Sequence, residues 1–164
     1  MRRFLLATAV ALTTLVLVAG TALAAVTWHS GPTFTANPGG SFTATGDGSG
    51  FGNQPAVATI TISGTVRYTC RNKGGNEAPG QNPVAAMSTG SQDLGNADHN
   101  GRGVLNLTVG PLVAAPTVSG KVAGCPNGNW QGVNPVIEGG VTATLTITQA
   151  GQVIFTAGPI AALP

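Results

Sequence analysis

Apolar and polar residues alternate with a period of two along residues 56–70, AVATITISGTVRYTC. Ile60, Ile62, Val66, Tyr68 and Cys70 fall on even positions, and Thr59, Thr61, Ser63, Thr65, Arg67 and Thr69 on odd ones. Successive strand side chains point to opposite faces, so the pattern predicts one long strand with a buried and a wet face. Gly64 falls on the buried face, where a missing side chain predicts a bulge or a close backbone approach. Residues 141–148 repeat the pattern with Val141, Ala143, Leu145 and Ile147 on one face. Residues 104–109 set Leu105, Leu107 and Val109 against Asn106 and Thr108. Shorter β-prone runs cover 33–36, 41–45 and 84–88, and 118–123 reads as a short strand that delivers Cys125. Ala150-Gly151 predicts a tight hairpin from which 152–156 returns. The segments 71–83, 90–103 and 125–135 read as loops, and nothing after residue 24 carries a helical stripe.

Short strands separated by turn signals predict an all-β, immunoglobulin-like β-sandwich of about 7–9 antiparallel strands. The antibody pattern itself is not followed. No tryptophan lies between the cysteines, and Tyr68 stands two residues before the first cysteine, not the second. ATITISG (58–64) resembles ATLTITQ (143–149), but two amphipathic Thr-rich strands do not make a repeat array.

Composition changes this picture at the N-terminus. Arg2 and Arg3, an uncharged run over 4–19 and Ala22-Leu23-Ala24 have the order of a cleaved export signal. The expected domains are therefore a signal peptide, 1–24, and one secreted domain, 25–164. General export is the favoured route, and the arginine pair leaves twin-arginine export as the alternative. Arg2 and Arg3 are two of the seven basic residues, so five remain against five acidic ones. A neutral domain has no electrostatic footprint for nucleic acid, and no later apolar run predicts membrane insertion. In an exported chain, Cys70 and Cys125 predict one disulfide. Its loop of 54 intervening residues makes it worth about 4 kcal/mol by chain entropy.

Candidate chemistry is sparse. Asn96, Asp98, Asn100 and Gly101, with Asp93 nearby, look like half of a calcium loop or a plain turn, and Leu107 stands where a closing glutamate belongs. The glycine-rich 46–53 precedes no helix that would cradle phosphate. His29 and His99 lie in polar stretches without a nucleophile motif, and the carboxylates are scattered. No cofactor and no catalytic residue is expected. Thr59, Thr61, Thr65, Thr142, Thr144, Thr146 and Thr148 form Thr-rich faces that suit a solvated sheet or, as a regular hydroxyl array that orders water, ice or surface binding. Trp28 and Trp130 are candidate aromatic contacts for a sugar, although Trp130, five residues past Cys125, also suits packing on the disulfide. Asn106-Leu107-Thr108 is a glycosylation sequon. Arg71, Asn72, Lys73, Asn76, Glu77, Gln81 and Asn82 make 71–83 a candidate binding loop, or else a structural crossover.

GFGN (50–53), CxNxGGNxAPGQNP (70–83), Asn100-Gly101 and CPNxxW (125–130) together resemble a group of small secreted proteins of actinomycetes. The resemblance covers most of residues 25–164 and implies secretion, but it carries over no catalytic or binding residues. ADxNG followed by LTV is similar, more faintly, to immunoglobulin-like sandwiches including enediyne-carrier apoproteins. The function expected from the chain is that of a non-enzymatic binding or cell-envelope or matrix protein with an extracellular protein, glycan or cell-surface partner. A carbohydrate-binding module and a small secreted hydrolase working through Glu77 or His99 are the alternatives.

Overall fold

A computed structural model describes residues 26–51, 54–95 and 101–161. The expected signal peptide over 1–24, His99, the 96–100 part of the possible cation loop and Gly52-Asn53 of GFGN lie outside them. The described residues form β1 (Thr27–Ala36), β2 (Phe42–Ser49), β3 (Ala56–Arg71), β4 (Glu77–Pro79), β5 (Val84–Asp93), β6 (Gly103–Val109), β7 (Thr117–Ser119), a helical turn α1 (Gly120–Ala123), β8 (Gln131–Gln149) and β9 (Gln152–Ala161).

Two antiparallel sheets pack face to face. The first has the order β1-β2-β6; in the second, β3 pairs with β8, β4 and β5 share the outer edge of β3, and β7 and β9 share that of β8. Strands β1, β2 and β6 thus take the places of A, B and E in an immunoglobulin sandwich, and β3, β8 and β9 those of C, F and G. Strand β5 pairs with β3 instead of β6.

The even positions of the long strand are buried as its alternation predicts. Ala58, Ile60 and Ile62 of β3 meet Leu145 and Ile147 of β8, with Phe42 and Ala44 of β2 and Leu105 and Leu107 of β6 opposite. Full burial of each large aliphatic side chain stabilises the fold by about 1.5–3 kcal/mol, so this layer is the main source of stability. Gly64 meets both of its expectations. A β-carbon there would lie 2.8 Å from Leu112 Cδ2, and the β3–β8 register shifts between Ser63 and Thr65.

Several expected loops are strands. Strand β5 continues to Asp93, covering 90–93, and β8 begins at Gln131, inside the expected loop 125–135. Residues 120–123 form a helical turn where a strand was expected. Ser119 accepts the Val122 N–H at its start, and Gly124, at φ +69°, ends it in the left-handed conformation. The predicted Cys70–Cys125 disulfide is present, with the two Cα atoms 5.6 Å apart. It does not bridge the sheets as an antibody disulfide does between B and F, because Cys70 lies at the far end of β3, outside the main core.

Candidate functional site

Strands β3 and β8 run on past the sandwich, and their extensions carry a second, smaller core. Val66, Tyr68, Cys70 and Ala123 are buried there, with Ala78, Val118, Cys125 and Trp130 packed on them. The Tyr68 hydroxyl donates to the Ala115 carbonyl at 2.8 Å, anchoring the 110–116 crossover. Gly132 is required where it stands, because a β-carbon there would lie 2.7 Å from both Ala123 Cβ and Val118 Cγ2. This core and the disulfide bring 71–73 beside 127–131.

Beyond β3 the chain turns tightly. Asn72 N donates to Asn76 O at 3.1 Å, Gly75 N to Asn72 O at 3.0 Å and Asn76 N to Asn72 Oδ1 at 2.9 Å. Arg71 pairs with Glu77 at the base of the turn, Nε lying 2.8 Å from Oε1. Across from it, Asn127 Oδ1 accepts the Asn129 N–H at 3.0 Å. Between the two turns lies a cleft of about 330 Å³ lined by Arg71, Asn72, Lys73, Asn129, Trp130 and Gln131. A second depression of about 470 Å³ adjoins it, sharing Asn72, Lys73, Asn129 and Trp130 and adding Asn127.

The structure divides the expected binding loop. Arg71, Asn72 and Lys73 line the cleft, whereas Gln81 and Asn82 tie the returning chain to α1. Asn82 N donates to Ala123 O at 3.2 Å, its side chain to Val122 O at 3.3 Å, and Gln81 N to Gly124 O at 3.3 Å. The Gln81 amide donates to Pro79 O, and Arg67 reaches the carbonyls of Gly80 and Gln81. Asn76 and Glu77 close the turn without lining the cleft.

Trp130 stands where packing on the disulfide put it, half-buried on the small core, and it also lines both depressions. Trp28 stands away from this cleft. It sits in β1, packed edge-on against Phe51 and Phe155 at centroid distances of 6.3 and 5.3 Å, with Nε1 buried. Gly46 beneath it leaves room for the ring, and Trp28 is partly buried against the main core. Asn127, Asn129 and Gln131 were not singled out from sequence. The signal was the disulfide itself, which makes residues next to Cys70 neighbours of those after Cys125.

A further contact escapes the sequence. His29 Nε2 lies 3.0 Å from Ser49 Oγ across the β1–β2 pair. Asp47 is nearby, but its carboxylate is bonded to Arg102, which lowers its pKa below the ordinary 3.8. An adjacent depression holds Ser30 and Asp47 but neither His29 nor Ser49. Arg67 is held by Glu138, whose hydrogen bond raises its pKa further. Among the described residues no three His, Cys, Asp or Glu side chains cluster as metal ligands, and no helix is long and apolar enough to cross a membrane. The Thr-rich face is a half-exposed sheet surface, on which Ser91, Thr59, Thr146 and Thr156 stand in one cross-strand row.

No protein-family model, curated protein or solved structure matches the chain.

Proposed function

We propose that the protein is a secreted, non-enzymatic carbohydrate-binding domain that holds an extracellular or cell-envelope glycan in the cleft beside the disulfide. The observation that carries this reading is the pair of adjoining depressions sharing Trp130, Lys73, Asn72 and Asn129. An aromatic ring among amides supplies an apolar face for a sugar ring and hydrogen bonds for its hydroxyls. The disulfide, the export-type leader and the resemblance to secreted actinomycete proteins agree with an extracellular setting.

Retention on immobilised and insoluble glycans tests the proposal. The protein is expected to be retained by at least one glycan, and Trp130→Ala to lose retention while its melting curve shows a folded domain. Retention by no glycan, or retention unchanged in folded Trp130→Ala, would overturn it.

The His29–Ser49 hydrogen bond favours a second reading, a small hydrolase, since a base within reach of a hydroxyl is the first requirement of an activated nucleophile. Asp47, the nearby carboxylate, is committed to Arg102, so no described group orients the imidazole as a triad requires. Ester or glycoside turnover that is lost in Ser49→Ala would establish this alternative.

A further inference from the structure

Charge is unevenly placed on this neutral domain. Of the five basic residues after the leader, Arg67, Arg71, Lys73 and Lys121 lie toward the disulfide end, with Glu77 and Glu138 as the acidic groups. Glu77 is bonded to Arg71 and Glu138 to Arg67. Asp47, Asp93 and Arg102 lie at the other end, about 25–45 Å away along β3 at about 3.3 Å per residue. Lys73 makes no ion pair or hydrogen bond among the described residues.

The amides of the cleft are biased the same way. Asn72 Oδ1 already accepts the Asn76 N–H, and Asn127 Oδ1 the Asn129 N–H. Each of these oxygens keeps one lone pair, whereas both N–H donors of each amide stay uncommitted. Together with the Lys73 ammonium, which only donates, the free side-chain donors of the cleft outnumber the free acceptors. Asn129 and Gln131 keep both amide groups for hydroxyls. The hydroxyls of a neutral sugar can accept from these donors, but their own protons then turn to the fewer acceptors of the cleft or to water. A sugar acid brings a carboxylate that only accepts.

Resting on the carbohydrate-binding reading, we infer that the cleft selects acidic glycans. A uronic-acid carboxylate pairs with Lys73 and the Asn72 amide while the same or a neighbouring ring lies on Trp130. Lys73 is thus a specificity-determining residue, and Trp130 supplies the affinity that any sugar shares.

The test is affinity electrophoresis through gels containing polygalacturonate, alginate or hyaluronate, each run beside its carboxyl-reduced counterpart. The expected result is retardation by at least one uronate polymer, weakened about tenfold or more by carboxyl reduction and by Lys73→Gln. Lys73→Arg is expected to restore most of it, and added salt to weaken the wild type but hardly Lys73→Gln. Equal retardation by native and reduced polymers, with Lys73→Gln indistinguishable from wild type, would overturn acid selectivity and leave the carbohydrate-binding reading standing. No retardation by any polymer, acidic or neutral, would overturn both. Lys73 is an exposed turn residue, so loss of fold in Lys73→Gln is not expected, and far-UV circular dichroism checks it.

Discussion

Replacing both cysteines with alanine removes the clamp that brings the two turns of the cleft together, and its cost can be worked from the structure. Cys70 and Cys125 are 55 positions apart, and closing a loop of that length removes chain entropy worth about 4 kcal/mol at 25 °C. Cys70 is fully buried, so losing its sulfur adds about 1 kcal/mol for the space left behind. Unfolding entropy of about 2 cal/mol/K per residue gives a domain of this size about 0.3 kcal/mol per degree, so the melting temperature should fall by about 15 °C. Urea unfolding followed by circular dichroism gives the free energy directly, and its m-value should rise as the uncrosslinked denatured chain expands. Because that entropy belongs to the unfolded chain, amides such as those of Ile60 and Leu145 in the main core, which exchange through global unfolding, should quicken by the same free energy that urea reports. Native-state amide exchange at Thr69–Arg71 and Gln131–Val133, in the small core, should quicken as well, because local opening there loses its clamp. A loss below about 1 kcal/mol, against the about 4 expected of the loop, would refute the reasoning. So would unchanged exchange at Thr69–Arg71 and Gln131–Val133, showing that strand pairing alone holds the cleft.

Tyr68→Phe removes the hydroxyl bonded to Ala115 O and should cost about 1 kcal/mol in urea unfolding, without moving the main-core amides. Gly132→Ala forces a methyl against Ala123 and Val118 and should destabilise by about 1–3 kcal/mol; a neutral result would mean that β8 shifts freely at this point. Asp47 has a folded pKa held below the ordinary value by Arg102. Its stabilising contribution is therefore present above the unfolded value and lost as pH falls through the folded one, so Asp47→Asn should flatten the acid limb of a stability–pH curve. An unchanged acid limb would show that the pair contributes nothing in solution.

The long strand, the strands at 104–109 and 141–148, the tight hairpin and the disulfide were legible because each buries one face or carries a specific turn signal. The first half of β8 was not. Its sequence, QGVNPVIEGG, has the composition of a turn, yet it pairs with β3 through two bulges. Asn134, at φ +49°, and Pro135 oppose Tyr68 at one, and Gly139 to Val141 make the other. Gly, Asn and Pro serve bulges as well as turns, and only the partner strand decides which. The end of β5 was hidden for a related reason: Gly90 faces Val109, where a β-carbon would lie 2.7 Å from Val109 Cγ2, so the inward position shows no apolar side chain. In the site, Lys73 and Trp130 were legible as separate candidates. Their meeting depends on β3–β8 register, and the packing of Trp28 on Phe51 and Phe155 was hidden because a strand pattern does not show what lies beneath a ring.

The most direct test of the central claim is the amide chemical-shift map of the labelled domain, residues 25–164, titrated with soluble forms of the glycans that retain it. The account predicts shifts concentrated at Arg71, Asn72, Lys73 and at 127–131, with residues around His29 and Ser49 unmoved. Shifts centred on His29, Ser49 or the Thr-rich face, or retained glycans that leave the cleft amides in place, would contradict it.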